Sequence, residues 1–193
     1  PVVLIDRCFM NTTLPYVCTD NYSGAYMATE HLISKGYRNI LAIQGVLTSM
    51  PSKERVRGFL QAVDDHVGLG VTHNVCGDAF SVENGYREAK RALTGESRPD
   101  AIFAFSTTIL LGAIKAIKEL GLNIPEDVAI ISFDNNRFLD YLDPAVTRVE
   151  QPVNVVGKLV TDNIIKMVEK DDDIPLSSSQ ILIRPTLIEG RSC

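Results

Sequence analysis

The chain has 193 residues, 45% of them hydrophobic and 22% charged, with 13 glycines, 9 prolines and no tryptophan. Those proportions are ordinary for a globular protein and exclude disordered, collagen-like and coiled-coil architectures. The 24 acidic residues against 19 basic leave a formal charge of −5, which argues against a freestanding nucleic-acid binder, because phosphate affinity needs clustered Lys and Arg.

In chain order, PVVLIDR opens with a strand pattern and is followed by a short strand-like YVCTD. A helix is expected from Tyr22 to Lys35, capped by Asp20 or Asn21 and closed by Gly36. A βα pattern then repeats at intervals of roughly 30 residues, the length of one strand, one crossover helix and two loops. Its strands are NILAIQG from Asn39, VTHNVC from Val71, DAIFAF from Asp100 and DVAIIS from Asp127. The first intervening helix is SKERVRGFLQAVDDH, with Val56, Phe59, Leu60 and Val63 on one face and Ser52 as its expected N-cap. The second is SVENGYREAKRAL, capped by Ser81, and the third is TTILLGAIKAIKELG, ended by Gly121 and then Pro125. Beyond them come a crossing segment AVTRVEQ, a helix from about Val153 to Lys170 and a final strand QILIRPTLI. The run Asp171, Asp172 and Asp173 with the serines after it reads as a solvated loop.

Strands separated by helices run parallel with right-handed crossovers, so the middle of the chain is expected to be a doubly wound open sheet. The continuous apolar character of AIFAF and AIIS fits burial on both faces. The flanking segments need not join that sheet, and the chain reads as two lobes.

Ligands of open parallel sheets bind beyond the carboxyl ends of the strands. The loops there supply Asp6 and Arg7, Ser49 to Arg55, Gly77 to Phe80, Ser106 to Thr108, and Asp134 to Arg137. Carboxylates, guanidinium groups, hydroxyls, amides and an aromatic ring suit a small polar ligand rich in hydroxyls or ring nitrogens. Each candidate also has a plainer reading. Asp6 can cap the next turn, Arg55 can pair with Glu54 on the surface, Phe80 can belong to the core, and Asp134 with Asn135 and Asn136 can form a turn.

No catalytic signature appears: there is no G-x-S-x-G elbow, P-loop or H-E-x-x-H, and the glycines at 68 and 70 precede a strand where a dinucleotide fingerprint must follow one. Cys8, Cys18, Cys76 and Cys193 form no C-x-x-C pair, and His31, His66 and His73 have no ligand spacing beside them. Free thiols in a reducing compartment, no metal and no cofactor are expected. No apolar run approaches the roughly 18 residues of a membrane span, and no basic-then-apolar leader opens the chain, so no membrane partner is expected. A chain that begins at Pro1 is expected to have lost its true N-terminus.

The strings PVVLIDR, TDNYSGAYMATEHLISKGYRNILAIQG, ERVRGFLQAV, PDAIFAFSTTILLGAIKAIKELGLNIPEDVAIISFDN, DPAVTRVEQPVNVVGKLV and ILIRPTLIEGRS follow one another in order and spacing over nearly the whole chain. Together they resemble the LacI/GalR family of bacterial transcription repressors. The resemblance implies a type I periplasmic-binding-protein-like α/β fold of two doubly wound parallel-sheet lobes. The N-terminal lobe is then incomplete here: residues 1–38 supply part of it, 39–147 the C-terminal lobe, and 148–193 the return to the N-terminal lobe. The resemblance also implies ligand-binding roles for Asp6, Arg55, Phe80, Asp134 and Gln151. Where the family reads Asn-Asp before the third helix this chain has Ser106 and Thr107, so a hydroxyl, that of Ser106, replaces an amide or carboxylate contact.

The function implied is a non-enzymatic, cytoplasmic effector-binding and homodimerisation domain. It would sense a sugar or sugar derivative and reach operator DNA only through a helix-turn-helix absent from this chain. The competing readings are a periplasmic sugar-binding protein of a transport system, marked by an upstream signal peptide, and a doubly wound enzyme, marked by turnover of the bound ligand.

Overall fold

The computed structural model describes residues 1–9, 11–169 and 180–193. Two strands open the chain, β1 (Leu4–Ile5) and β2 (Tyr16–Thr19), followed by helix α1 (Asn21–Ser34). The repeating region follows as β3 (Asn39–Ile43), α2 (Met50–Asp65), β4 (Thr72–Cys76), α3 (Val82–Leu93), β5 (Ala101–Ala104), α4 (Thr107–Glu119) and β6 (Ala129–Phe133). The chain closes with β7 (Thr147–Glu150), α5 (Val153–Glu169), β8 (Gln180–Ile183) and β9 (Thr186–Ile188). Lys170 and the acidic run Asp171 to Asp173 with its serines lie outside the described residues.

Among the described residues the strands form two sheets, β1-β2-β8 and β4-β3-β5-β6-β7-β9. The smaller is parallel throughout, and the larger is parallel except where β9 runs antiparallel to β7. From β3 the chain moves to one side to make β4, then returns past β3 to β5 and on to β6. With right-handed crossovers this reversal puts α2 on one face and α3 and α4 on the other. The observed packing agrees, since α1 lies against α2 and α3 against α4. Every residue of β5 and β6 is buried, as their unbroken apolar runs predict.

The core of the larger sheet is aromatic at its carboxyl end. Phe59, Phe103, Phe105 and Phe133 are fully buried, and Phe103 meets Phe105 edge-on at 4.8 Å between centroids. Phe59 and Phe103 both pack edge-on against Phe105, and the Phe133 ring lies under Arg55. The smaller sheet is less covered, and Ile5, Phe9 and Leu182 are all more than half exposed.

Several expectations need correction. The boundaries at 38 and 147 do not follow the sheets: α1 packs on α2 and contacts β6, β7 and β9 of the larger sheet, so only β1 and β2 of residues 1–38 belong to the smaller one. AVTRVEQ is not merely a crossing, because its centre is β7, a buried strand of the larger sheet. QILIRPTLI is two strands, one in each sheet, divided at Arg184–Pro185; Pro185 has no N–H to give a ladder, so pairing stops there. The N-cap of α2 is Ser49 rather than Ser52. Pro51 sits in the first turn, where its missing N–H costs nothing, and Ser52 is already inside the helix with its hydroxyl buried. The caps of the other helices follow the sequence: Asp20 accepts from the Ser23 amide at 2.9 Å, Ser81 accepts from that of Asn84 at 3.1 Å, and Gly36 and Gly121 take positive φ after α1 and α4.

Candidate functional site

One cleft of about 260 Å³ opens beyond the carboxyl ends of the strands of the larger sheet, lined by Asp6, Arg7, Pro51, Arg55, Phe80, Ser106, Thr108, Asp134 and Gln151. All six residues proposed from the sequence line it, each from a different segment. The cleft lies where the strand order reverses, with Arg55 following β3 and Ser106 following β5.

Arg55, on the second turn of α2, is 4% exposed. Its Nε donates to Asn21 Oδ1 at 2.8 Å and its Nη1 to the Phe105 carbonyl. Its Nη2 lies 3.6 Å from Asp134 Oδ1, and the guanidinium carbon sits 3.7 Å above the centroid of the Phe133 ring. Burial pulls its pKa below the usual arginine range, and the carboxylates of Asp134 and Asp6 oppose that shift. The surface ion pair with Glu54 does not form, since Glu54 instead pairs with Arg57 at 2.7 Å.

Asp134 follows β6 with φ +79°, a left-handed conformation that Asp tolerates better than most residues. The turn and the site are therefore the same feature. Its Oδ1 also accepts from Gln151 Nε2. Gln151 Oε1 accepts from the Thr19 hydroxyl at 2.7 Å, and Asn21 Nδ2 donates to the Thr19 carbonyl at 3.0 Å. Thr19, Asn21, Arg55, Asp134 and Gln151 thus close a polar ring that joins the end of the smaller sheet to the end of the larger.

Asn135 and Asn136 do not point into the cleft as Asp134 does. Asn135 turns toward β7, accepting from Arg148 Nε at 2.6 Å and donating to Glu150, while the Asn136 carbonyl accepts from the Leu139 amide at 2.9 Å. Buried Arg148 also donates to Asp140 at 2.7 Å, so the loop carrying Asp134 is tied to β7.

Phe80 is half-buried and meets both readings, packing on the core cluster while lining the cleft. Ser106 caps α4, accepting from the Ile109 amide at 3.3 Å, and its Oγ lies 3.0 Å from Thr108 Oγ1. The second hydroxyl of the cleft is accordingly that of Thr108 and not Thr107. Asp6, with φ +63°, lies at the rim with a 3.7 Å ion pair to Arg7 in which both side chains are more than half exposed. Such a pair is worth under about 1 kcal/mol and leaves the carboxylate available.

The sequence reading gave Thr19 no role and Asn21 only a possible capping one. The signal for both was their position, at the carboxyl end of a strand where the chain leaves one sheet for the other. Among the described residues no group of three or more His, Cys, Asp or Glu side chains is placed to hold a metal ion, and no helix is long and apolar enough to cross a membrane.

Residues 29–193 match the periplasmic binding protein-like domain family. The HTH-type transcriptional repressor PurR of Klebsiella pneumoniae is 33% identical, over all of this chain and 56% of the repressor's length; the chain thus spans little more than half of the curated relatives it matches. The crystal structure of a sugar-binding transcriptional regulator of the LacI family from Escherichia coli, complexed with phosphate, superposes with a TM-score of 0.84 at 25% identity, covering all of this chain and 68% of that one. The Lac repressor bound to ONPG shares the fold at a TM-score of 0.86 and 19% identity, over all of this chain and 57% of its own.

Proposed function

The chain belongs to the periplasmic binding protein-like domain family, in the form that serves as the effector-binding core of LacI-type transcriptional regulators, and from that premise we propose that its cleft binds a small polar effector, a sugar or sugar derivative. The supporting observation is the convergence of Asp6, Arg55, Phe80, Ser106, Asp134 and Gln151 on one cleft at the strand ends. Asp6 and Asp134 accept hydroxyl protons, Ser106, Thr108 and Gln151 both donate and accept, and the Phe80 ring offers an apolar face to a sugar's C–H side. Three or four charged contacts of about 1.5–3 kcal/mol each reach micromolar affinity, about −8 kcal/mol.

The domain acts by binding, not turnover. A ligand that favours one arrangement of the two lobes shifts the population toward it, and in a cytoplasmic homodimer this moves the attached DNA-reading heads, which lie outside this chain. A tenfold change in operator affinity needs only about 1.4 kcal/mol of differential binding.

The test is a thermal-shift screen against sugars, sugar phosphates, polyols and purines. A true effector at a hundred times its Kd adds about 2.7 kcal/mol and raises Tm by several degrees. A sugar hit that is lost in Phe80→Ala supports the reading. Purine hits alone overturn the sugar assignment, conversion of the ligand overturns the non-enzymatic one, and silence across the panel overturns the effector class.

A further inference from the structure

Beside the cleft lies a second, smaller cavity of about 80 Å³, which shares Asp6 and Pro51 with it and is lined by both Cys8 and Cys18. Two local features bring these cysteines together. The parallel pairing of Leu4 with Tyr16 and Ile5 with Val17 sets Asp6 level with Cys18. The chain then leaves the strand direction at Asp6, whose φ is +63°, and brings Cys8 onto the wall of the same small cavity as Cys18. Cys18 is 3% exposed and Cys8 is half-buried, so one residue is shielded and the other partly accessible to solvent. The remaining cysteines lie in the larger sheet region, Cys76 at the end of β4 and Cys193 at the end of the chain.

We propose that Cys8 and Cys18 are a reversible thiol–disulfide pair that fixes the position of Asp6 at the rim of the cleft. A hydroperoxide supplies the oxidising equivalents. The Cys8 sulfur attacks the peroxide oxygen, the O–O bond breaks, and water or an alcohol leaves Cys8 as a sulfenic acid. The Cys18 sulfur then attacks the Cys8 sulfur and gives up its proton, the S–O bond breaks and water leaves. Two thiols have lost two hydrogens and one peroxide has been reduced. A small-molecule thiol reverses the step by exchange.

The order of events follows from the surroundings. Cys18 is buried and Cys8 partly exposed, and burial first, and then the neighbouring Cys8, push the Cys18 thiol up to about 12, so Cys8 opens the sequence and Cys18 closes it. The bond would tether the segment after β1 to β2 and remove the freedom of Asp6, which is one residue from β1 and two from Cys8. The bond's formation is independent of what the cleft binds; its effect on a ligand rests on the reading above.

The test treats the purified chain with hydrogen peroxide, traps free thiols with an alkylating agent and maps the peptides by mass spectrometry. The expected product is about 2 Da lighter, carries a Cys8–Cys18 crosslink, retains free Cys76 and Cys193, and reverts with dithiothreitol. It is absent from Cys8→Ser and Cys18→Ser variants with parent-like circular dichroism. A crosslink through Cys76 or Cys193, oxygen additions on Cys8 without a crosslink, or unchanged thiols would each overturn the pair. Hydrogen exchange of residues 4–8 reads the second part: slower exchange after oxidation supports the tethering of Asp6, and unchanged exchange refutes it whatever ligand the cleft takes.

Discussion

Replacing Asp134 by asparagine isolates one charge at the floor of the cleft. Asn is isosteric, tolerates the left-handed backbone at this position, and still offers an Oδ1 to Gln151 Nε2. What is lost is the carboxylate 3.6 Å from the buried Arg55 guanidinium. At that distance and an effective dielectric of about 20 the attraction is about 4.6 kcal/mol. The Asp134 side chain is 32% exposed, and screening by solvent brings the estimate to about 2–3 kcal/mol. For a chain of this size each kcal/mol moves Tm by about 2–4 °C, so Asp134→Asn is expected to melt about 4–12 °C lower. Asp134→Ala is expected to lose more, by about 1–2 kcal/mol, because it adds left-handed strain to the lost charge. Thermal and urea unfolding followed by circular dichroism check both. An Asp134→Asn protein within about 0.5 kcal/mol of the parent, the range of an ordinary surface change, would mean that Asn21, the Phe105 carbonyl and the Phe133 ring satisfy Arg55 without a counter-charge.

Gly112→Ala tests the α3–α4 packing: an added Cβ would lie 2.0 Å from the Val82 carbonyl oxygen, a backbone clash that outweighs the helix-propensity gain of about 1 kcal/mol. A net loss of about 1–2 kcal/mol in urea unfolding is expected, and stability equal to the parent would show that the helices separate freely. At Gly45 the added Cβ would instead meet the Phe80 ring at 2.2 Å, and that ring can swing away. Gly45→Ala should therefore change stability by less than about 1 kcal/mol yet weaken the effector found by screening about tenfold; unchanged affinity in calorimetry removes Phe80 from the site. Burial, opposed by Glu189, lowers the pKa of His31 below its ordinary 6.5. The unfolded chain then binds the proton first, so stability is flat above about pH 6.5 and falls as pH drops from there toward the depressed folded value. His31→Gln should lessen that slope in melts between pH 7 and 5, and an unchanged slope would assign the acid sensitivity elsewhere.

The βα repeat was legible because its signals are local. β5 and β6 are apolar on both faces and buried on both, and Ser81 stands at the one position where its hydroxyl reaches a free amide of α3. Sheet membership was not legible. The pattern of α1 says that Ala25, Ala28 and Leu32 are covered, but not that the core around α2 and the larger sheet, rather than the smaller sheet, covers them. Likewise QILIRPTLI contains enough β-branched residues for one long strand, and only the proline at 185 hints that its halves part. The cleft itself was legible through the rule that parallel sheets open at their carboxyl ends, which selected Asp6, Arg55, Phe80, Ser106 and Asp134, while Gln151 came only from the family resemblance. Their supports were not, because Thr19 and Asn21 act through partners distant in sequence: Thr19 Oγ1 bonds a residue 132 positions away and Asn21 Oδ1 one 34 positions away.

Those supports bear on how the cleft can report its occupancy. The chain passes between the sheets at Asp20, at Pro152 and at Arg184–Pro185, and the polar ring lies at the first two of these passages. Its Gln151–Asp134 bond lines the same cleft that the effector is proposed to enter. A ligand hydroxyl that competes for the Asp134 carboxylate therefore competes with Gln151, whose Oε1 accepts from Thr19 at the end of the smaller sheet. On the proposed reading ligand binding and lobe arrangement then meet at Gln151, and a charge-assisted hydrogen bond of about 1.5–3 kcal/mol is already as large as the roughly 1.4 kcal/mol needed for a tenfold shift. On the proposed reading no long pathway through the core is required, because the contact to Asp134 and the contact to Thr19 of the smaller sheet are made by the one Gln151 side chain.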